Sequence, residues 1–562
     1  MRDEVLKAAR RRGLYLLREI ARTDPCSINN LLSLDAEKAI ATLDQPEVRL
    51  KAGIAFLKLI EMGSLSQELT NEFVNFMKVV LTRSAYFNNA MPNARHGINE
   101  TLFLGHSTVL KEIFGDRDST LMASRPEDVE DAYSTGIEAL SIVWPEEAAA
   151  IQSSTDLIAG INGNRGEIRS FSNIHLPGFM AMAINNPPAL ISEQLVHESS
   201  HVRLALLLEN KGHFSDTIAQ MPACYSPFTE SIRTAERLLH GVVSYSRVLT
   251  WWKNLSEFND LQPGWLDCKN QNEANDIINK RIDTLSKRTR LGWMSLLRGA
   301  RANEISILIE IFEFMVGREP PSFEVTGDVA SAAALLEPIP KAELLLAFYG
   351  VKSSRISCRV NASDIFEALL NSGVSFVVSN KAFTQSIDQG MHGFSNRFSS
   401  SSSISKSTSE HDVLCYLAST VKAARVTAER DASDVAGELF NIPVCCQSFF
   451  SNNWQAINLT TGDLFGLLLS REPEPVNLIK IPWQCNSAAM YFGGGLCWHF
   501  PCSMHCESTI EIVNQRLAHL ERIDPELAEQ LCSIQKTMFQ WSSKNGYEIA
   551  NSNNYAQVIV PC

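Results

Sequence analysis

No stretch of the 562-residue chain stays apolar for the ~20 positions that a helix needs to cross a bilayer, so no membrane span is expected. The opening MRDEVLKAARRRGLYLLREIA lacks the apolar core and small-residue cleavage site of a signal peptide. It interleaves Asp3, Glu4 and Glu19 with its basic residues and reads as an amphipathic helix, which makes the cytoplasm the expected location. An excess of basic charge is also missing. With 50 Lys and Arg against 63 Asp and Glu, the formal net charge is -13, and a nucleic-acid partner is not expected. Neither Gly nor Pro is in excess and no repeat of fixed period appears, so fibrous and solenoid architectures drop out. What remains is a globular chain long enough for several domains. Its cysteines do not suggest a disulfide framework, because there are 13 of them and six crowd between Cys445 and Cys506. That crowding suits metal or redox chemistry in a reducing compartment.

Up to Gly317 the apolar residues recur at three- and four-residue spacing, as in AGIAFLKLIEM and EISILIEIFEFMV, and strand signals are sparse. A mainly α domain over 1–317 follows. The stretch GREPPSFEVTGD, with its prolines, glycines and charges, marks a boundary, and a small α/β segment follows it over 318–395. There the β-branched runs SRISCRV and VSFVVSN flank the helical NASDIFEALLNSG. The serine-rich tract at 396–411 is expected to be a flexible loop. Residues 412–562 form a Cys-rich module, α+β in class, with helices over ASTVKAARVTAERDASDVAGELF and STIEIVNQRLAHLERI.

One motif carries chemistry. In EQLVHESSHVRLALLLEN the apolar Leu195, Val196, Val202, Leu204, Leu206 and Leu208 predict a buried helix. Four residues is slightly more than one turn, so His197 and His201 project from one face and can share a metal ion, with Glu198 beside them. The first reading of such a motif is a zinc peptidase, in which Glu198 deprotonates metal-bound water. A metzincin extension is excluded because Leu204 and Leu207 stand where Gly and His are required. A third ligand from a second helix is offered by Glu236 or His240, four residues apart in RTAERLLHGVVSYSRVLTWW. A non-catalytic peptide-binding scaffold that keeps its histidines for structure is a further alternative.

The run SFSNIHLPGFMAMA, then LISEQLVHESSHVRLALL, then YSPFTESIRTAERLLHGVVSYSRVLTW resembles the HExxH-motif family of natural-product maturation proteins, iron- and 2-oxoglutarate-dependent peptide β-hydroxylases. The similarity spans most of residues 130–260. Ser226, Pro227, Arg233 and the His240-Gly241 pair match the family pattern, whereas Phe228, Thr229, Ile232 and Thr234 replace its Trp, first Arg and two prolines. The resemblance implies three iron(II) ligands, His197, His201 and His240, with open positions for 2-oxoglutarate and O₂. It implies hydroxylation of a side-chain β-carbon in a ribosomally made peptide partner, with Glu198 orienting a ligand or water. The cosubstrate also needs a cation for its distal carboxylate. Arg233, seven residues before His240 and so two helical turns away on the same face, is the first choice. His175 is a candidate group on the substrate side.

In the last module Cys445, Cys446, Cys502 and Cys506 are candidate ligands for zinc or an iron–sulfur cluster, with His499 and His505 as substitutes for one thiolate. Buried reduced thiols acting as small hydrophobes are the rival reading. From about residue 335 on, the chain is similar to a poorly characterised prokaryotic family marked by Ile442, Pro443, Cys445 and Cys446 and by His499, Pro501, Cys502, Ser503, Cys506 and Ser508. That resemblance implies a module separate from the HExxH site and supplies no reaction.

Overall fold

The computed structural model describes residues 125–561 apart from 162, 174, 175, 177, 322–326, 386–397, 432–435, 459–463, 471–477, 543–545 and 550–556. Of the first 124 residues it describes Ala8, Arg11, Tyr15, Leu16, Ala52, Ala55 and two short strands. Of the amphipathic helix expected at the start of the chain, Ala8, Arg11, Tyr15 and Leu16 are described and helical; its other residues and His175 lie outside the described residues. The fold is mixed and rich in helix. By contacts the chain divides into two discontinuous units, one of 1–216, 240–289 and 309–320, the other of 217–239, 290–308 and 321–562. One break falls at Pro320/Pro321, inside GREPPSFEVTGD.

The first unit contains a five-stranded sheet that the helical periodicity of this region does not announce. Its strands are β1 (Ala94–His96), β2 (Leu102–Leu104), β3 (Leu157–Ile161), β4 (Ser170–Ser172) and β5 (Phe179–Ala183), in the order β1-β2-β3-β5-β4. The central pairings β2/β3 and β3/β5 are parallel, and the outer ones are antiparallel. All five residues of LIAGI in β3, and of FMAMA in β5, are buried. A strand covered on both faces is continuously apolar and only five residues long, so it has no alternation to separate it from a turn or two of buried helix. Helix nevertheless predominates among the described residues of the chain.

Helices α1 (Pro126–Val143), α2 (Pro145–Ser154) and α3 (Pro188–Asn210) belong to this unit, and α3 carries the HExxH motif. It starts at Pro188, where a missing N–H costs nothing. Leu195, Val196, Val202, Leu204, Leu206 and Leu208 are all buried, as the apolar pattern predicts, and so are Ser199 and Ser200 between them. At the crossing of α1 and α3, Gly136 removes a side chain so that Ile191 can approach. There Ser192 Oγ donates to Gly136 O at 2.8 Å. Helices α4 (Ala235–Glu257), α5 (Gln271–Arg298) and α6 (Ala302–Val316) follow in sequence.

In the second unit the hairpin β6 (Cys224–Ser226) and β7 (Ser231–Arg233) turns through Glu230, whose φ of 49° is left-handed. A four-stranded antiparallel sheet is ordered β10-β9-β11-β8, from β8 (Ser354–Arg359), β9 (Ser375–Gln385), β10 (Phe398–Ser403) and β11 (Asp412–Ala418). The serine-rich tract expected as a loop supplies edge strand β10. Strand β11 lies between β9 and β8. Helices α7 (Pro338–Phe348), α8 (Ser363–Asn371) and α9 (Val421–Asp431) accompany it. The rest comprises α10 (Val444–Asn458), α11 (Glu507–Ile523), α12 (Pro525–Gln535) and a sheet ordered β12-β15-β13-β14. Its strands are β12 (Leu478–Ile481), β13 (Phe539–Ser542), β14 (Gly546–Ile549) and β15 (Gln557–Pro561). No helix among the described residues is long and apolar enough to cross a membrane.

Candidate metal centre

His197 and His201 lie one turn apart on α3, and their Nε2 atoms stand 3.0 Å from each other. His240, in the second turn of α4, places its Nδ1 3.2 Å from Nδ1 of His201. His201 thus offers its two ring nitrogens in different directions, one toward each partner. Burial pushes all three imidazoles toward the neutral form: His201 to about 4, His240 to about 3, and His197 well below its usual value. A neutral ring keeps the lone pair that a metal ion needs. Tyr245, on the same helix as His240, packs edge-on against His197 with ring centres 4.6 Å apart.

Glu198 is buried, and its Oε1 lies 4.0 Å from Nε2 of His197, on the side where His201 also presents Nε2. Burial raises its pKa to about 7, and hydrogen bonds from Ser170 and Ser172 restrain the rise. Those serines are alternate residues of edge strand β4 and so share a face. At neutral pH Glu198 can therefore either donate or accept a proton.

Two buried acids fix α3 relative to α4. Glu193, one turn before His197, accepts from Trp252 Nε1 at 2.7 Å and pairs with Arg281 of α5. Glu147 of α2 pairs with Arg203, two residues past His201, and with Arg247, seven past His240. Motif reading does not find these partners. The only trace in the sequence is an acid, Glu193, one turn before His197 in a largely apolar helix.

Arg233 stands elsewhere in the local structure than its spacing suggests. Helix α4 begins at Ala235, and Arg233 ends strand β7, paired with Cys224, so no shared helical face relates it to His240. It is half-buried, and its Nε donates to Thr229 Oγ1 at 3.3 Å. Glu236 is also half-buried and makes no hydrogen bond or ion pair with the three histidines among the described residues.

In the second unit Cys445, Cys446, Cys502 and Cys506 come together, with sulfurs all within 4.8 Å of one another, and can hold a metal ion. Burial opposes ionisation of Cys506, but hydrogen bonds from Thr509 and from neighbouring thiols outweigh it and bring the pKa down to about 7. His499 is not part of this set: its Nε2 bonds Thr509 Oγ1 at 3.0 Å. His505 is exposed.

No protein-family model matches the chain, and no curated protein matches it.

Proposed function

We propose that the protein is an iron(II)- and 2-oxoglutarate-dependent oxygenase that hydroxylates a side-chain β-carbon of a ribosomally made peptide, with His197, His201 and His240 as its metal set. The observation that supports this reading is the pair of half-buried imidazoles one turn apart on α3 whose Nε2 atoms stand 3.0 Å from each other, with His240 of α4 against the remaining ring nitrogen of His201. Nitrogens 3.0 Å apart can share one metal ion.

Bound iron would couple oxidative decarboxylation of 2-oxoglutarate to hydroxylation of the peptide. The protein's own residues hold and shield it. Glu193 and Glu147 keep the two histidine-bearing helices in register through buried ion pairs. Tyr245 covers one face of His197. Glu198, held by Ser170 and Ser172, is placed to orient water or a substrate group by donating or accepting a hydrogen bond.

A second reading, a zinc peptidase with Glu198 as base, is favoured by one observation: a buried carboxyl with a pKa of about 7 lies 4.0 Å from Nε2 of His197. The two readings separate in one assay. Anaerobically iron-loaded protein is supplied with 2-oxoglutarate, O₂ and a short peptide encoded beside its gene, and the peptide is weighed by mass spectrometry. Hydroxylase activity appears as a gain of one oxygen atom that requires 2-oxoglutarate and is lost in His201→Ala. Cleavage products that persist without 2-oxoglutarate and return with zinc after chelation would establish the peptidase.

A further inference from the structure

We propose that Cys445, Cys446, Cys502 and Cys506 bind one zinc ion as a mononuclear tetrathiolate centre, a structural clip that is independent of the histidine site. The inference does not rest on the oxygenase reading.

The sulfur geometry comes first. Cys506 Sγ stands 3.7 Å from each of the other three sulfurs, and Cys445 and Cys446 are 3.9 Å apart. Four thiolates around one ion at a zinc–sulfur distance of about 2.3 Å are separated by about 3.8 Å, the edge of that tetrahedron. An iron–sulfur cluster divides its cysteines among two or four iron atoms and spreads them beyond the 4.8 Å within which all four sulfurs lie here. A disulfide requires sulfurs in bonding contact, and all four thiols are free.

Local structure explains how adjacent cysteines can both serve. Pro443 O accepts from the N–H groups of Cys446 and Gln447, so Cys445 and Cys446 open helix α10 in its first turn, where successive side chains diverge around the axis. Cys506 caps the N-terminus of α11, and Cys502 precedes it by one tight turn. Helix N-termini favour negative charge, as the sulfurs of a tetrathiolate set require.

The surroundings meet the other requirement, hydrogen bonds to the sulfurs. The N–H of Cys502 donates to Cys446 Sγ at 3.3 Å, and Thr509 Oγ1 lies 3.5 Å from the same sulfur. Ile442, Cys485 and Ile510 pack around the group. Arg516, buried on α11, donates to the carbonyls of Phe440 and Asn441 just before the first cysteine pair and to Leu496 just before the second. The two cysteine-bearing segments, some sixty residues apart, are thus already tied at a second point.

The test uses the full chain carrying His197→Ala and His201→Ala, so that metal at the histidine site does not enter the count. One zinc per chain by elemental analysis, with four sulfur scatterers at about 2.3 Å in zinc X-ray absorption, is the expected result. Cobalt in place of zinc should give the visible spectrum of a tetrahedral thiolate site. Cys446→Ser and Cys506→Ser should lower zinc occupancy at least tenfold. If they fail to fold, the absorption data on the histidine variant still decide. Acid-labile sulfide with iron, a mixed nitrogen–sulfur shell, or disulfides without metal would each overturn the proposal.

Discussion

The side chain of Gln194 pairs with the backbone of Ala183 as a neighbouring strand would: Ala183 N donates to Oε1 at 2.9 Å, and Nε2 donates to Ala183 O at 3.2 Å. Strand β5 is thereby joined to α3 one turn before His197, and the last residue of the strand has both backbone groups satisfied inside the protein. Gln194→Leu keeps the approximate volume but takes the amide donor from the Ala183 carbonyl, whereas the Ala183 N–H keeps Arg169 O at 2.8 Å. The expected outcome is a loss of about 1–3 kcal/mol in urea unfolding, together with weaker iron binding because α3 is no longer held to the sheet. Unchanged stability would mean that water replaces the amide there.

Glu147 stands between Arg203 and Arg247 and is the sole acid paired with either one among the described residues. Glu147→Gln leaves the buried guanidinium of Arg247 and the half-buried one of Arg203 facing a neutral amide. Breaking a buried ion pair from one side costs about 3–5 kcal/mol, because the remaining charge keeps its desolvation penalty without its partner. Since Arg203 follows His201 and Arg247 follows His240, the variant should also lose metal affinity. Adding Arg247→Met should recover part of the stability by removing one stranded charge. Thermal unfolding of the two variants side by side checks the sign of that recovery.

The contrast between what could and could not be read from the sequence follows from the range of the interactions. Helix α3, its buried face and the proximity of His197 to His201 depend on residues within one or two turns, so periodicity reveals them. Strands β8 and β9 around α8 are legible for the same reason, since alternation in SRISCRV survives one-sided burial. Strands β3 and β5 are not, because burial on both faces removes alternation. Arg233 misled because helical spacing extrapolates through Thr234, where the chain leaves β7 before α4 begins. The ties from Glu193 to Arg281 and from Glu147 to Arg247 span about a hundred residues, and no local pattern encodes them.

Gly136 marks the closest approach of α1 to α3. A Cβ placed there would come within 2.3 Å of Ile191 Cγ2. Gly136→Ala therefore forces the helices apart, and overpacking of this kind costs about 1–3 kcal/mol, more than the ~1 kcal/mol that alanine gains in helix propensity. Combining it with Ile191→Ala should give a smaller total loss than the sum of the two single changes. Denaturation midpoints of the four proteins measure that coupling, and strict additivity would place the contact elsewhere.

Lys352 is buried against Glu343 at 2.6 Å, and burial lowers its pKa to about 8 although the carboxylate opposes the shift. Its folded-state pKa lies below the usual 10.5, so between about pH 8 and 10.5 the unfolded chain holds a proton that the folded chain has shed. Stability from this group therefore rises with pH across that window and is flat below it. In the double variant Lys352→Met, Glu343→Leu the pair is absent. The wild-type urea midpoint should gain on that of the variant from pH 8 to 10.5, and parallel curves would show that the amine stays charged in the fold.

His240 has two chemically distinct ways to serve the centre, and they leave different signatures. As a ligand it supplies one of three protein bonds to iron, so His240→Ala should lower iron affinity as severely as His197→Ala does. As an orienter it engages Nδ1 of His201, 3.2 Å away, and fixes which nitrogen of that ring carries the proton. A partner of that second kind typically contributes only 10–100-fold in affinity, and saturating metal restores full occupancy. Anaerobic iron titrations of His197→Ala, His201→Ala and His240→Ala distinguish the two. The three-histidine set requires all three variants to fall together. If His240→Ala fills at high iron and retains turnover, the third ligand must come from another group, and Glu198, already 4.0 Å from Nε2 of His197, becomes the first candidate.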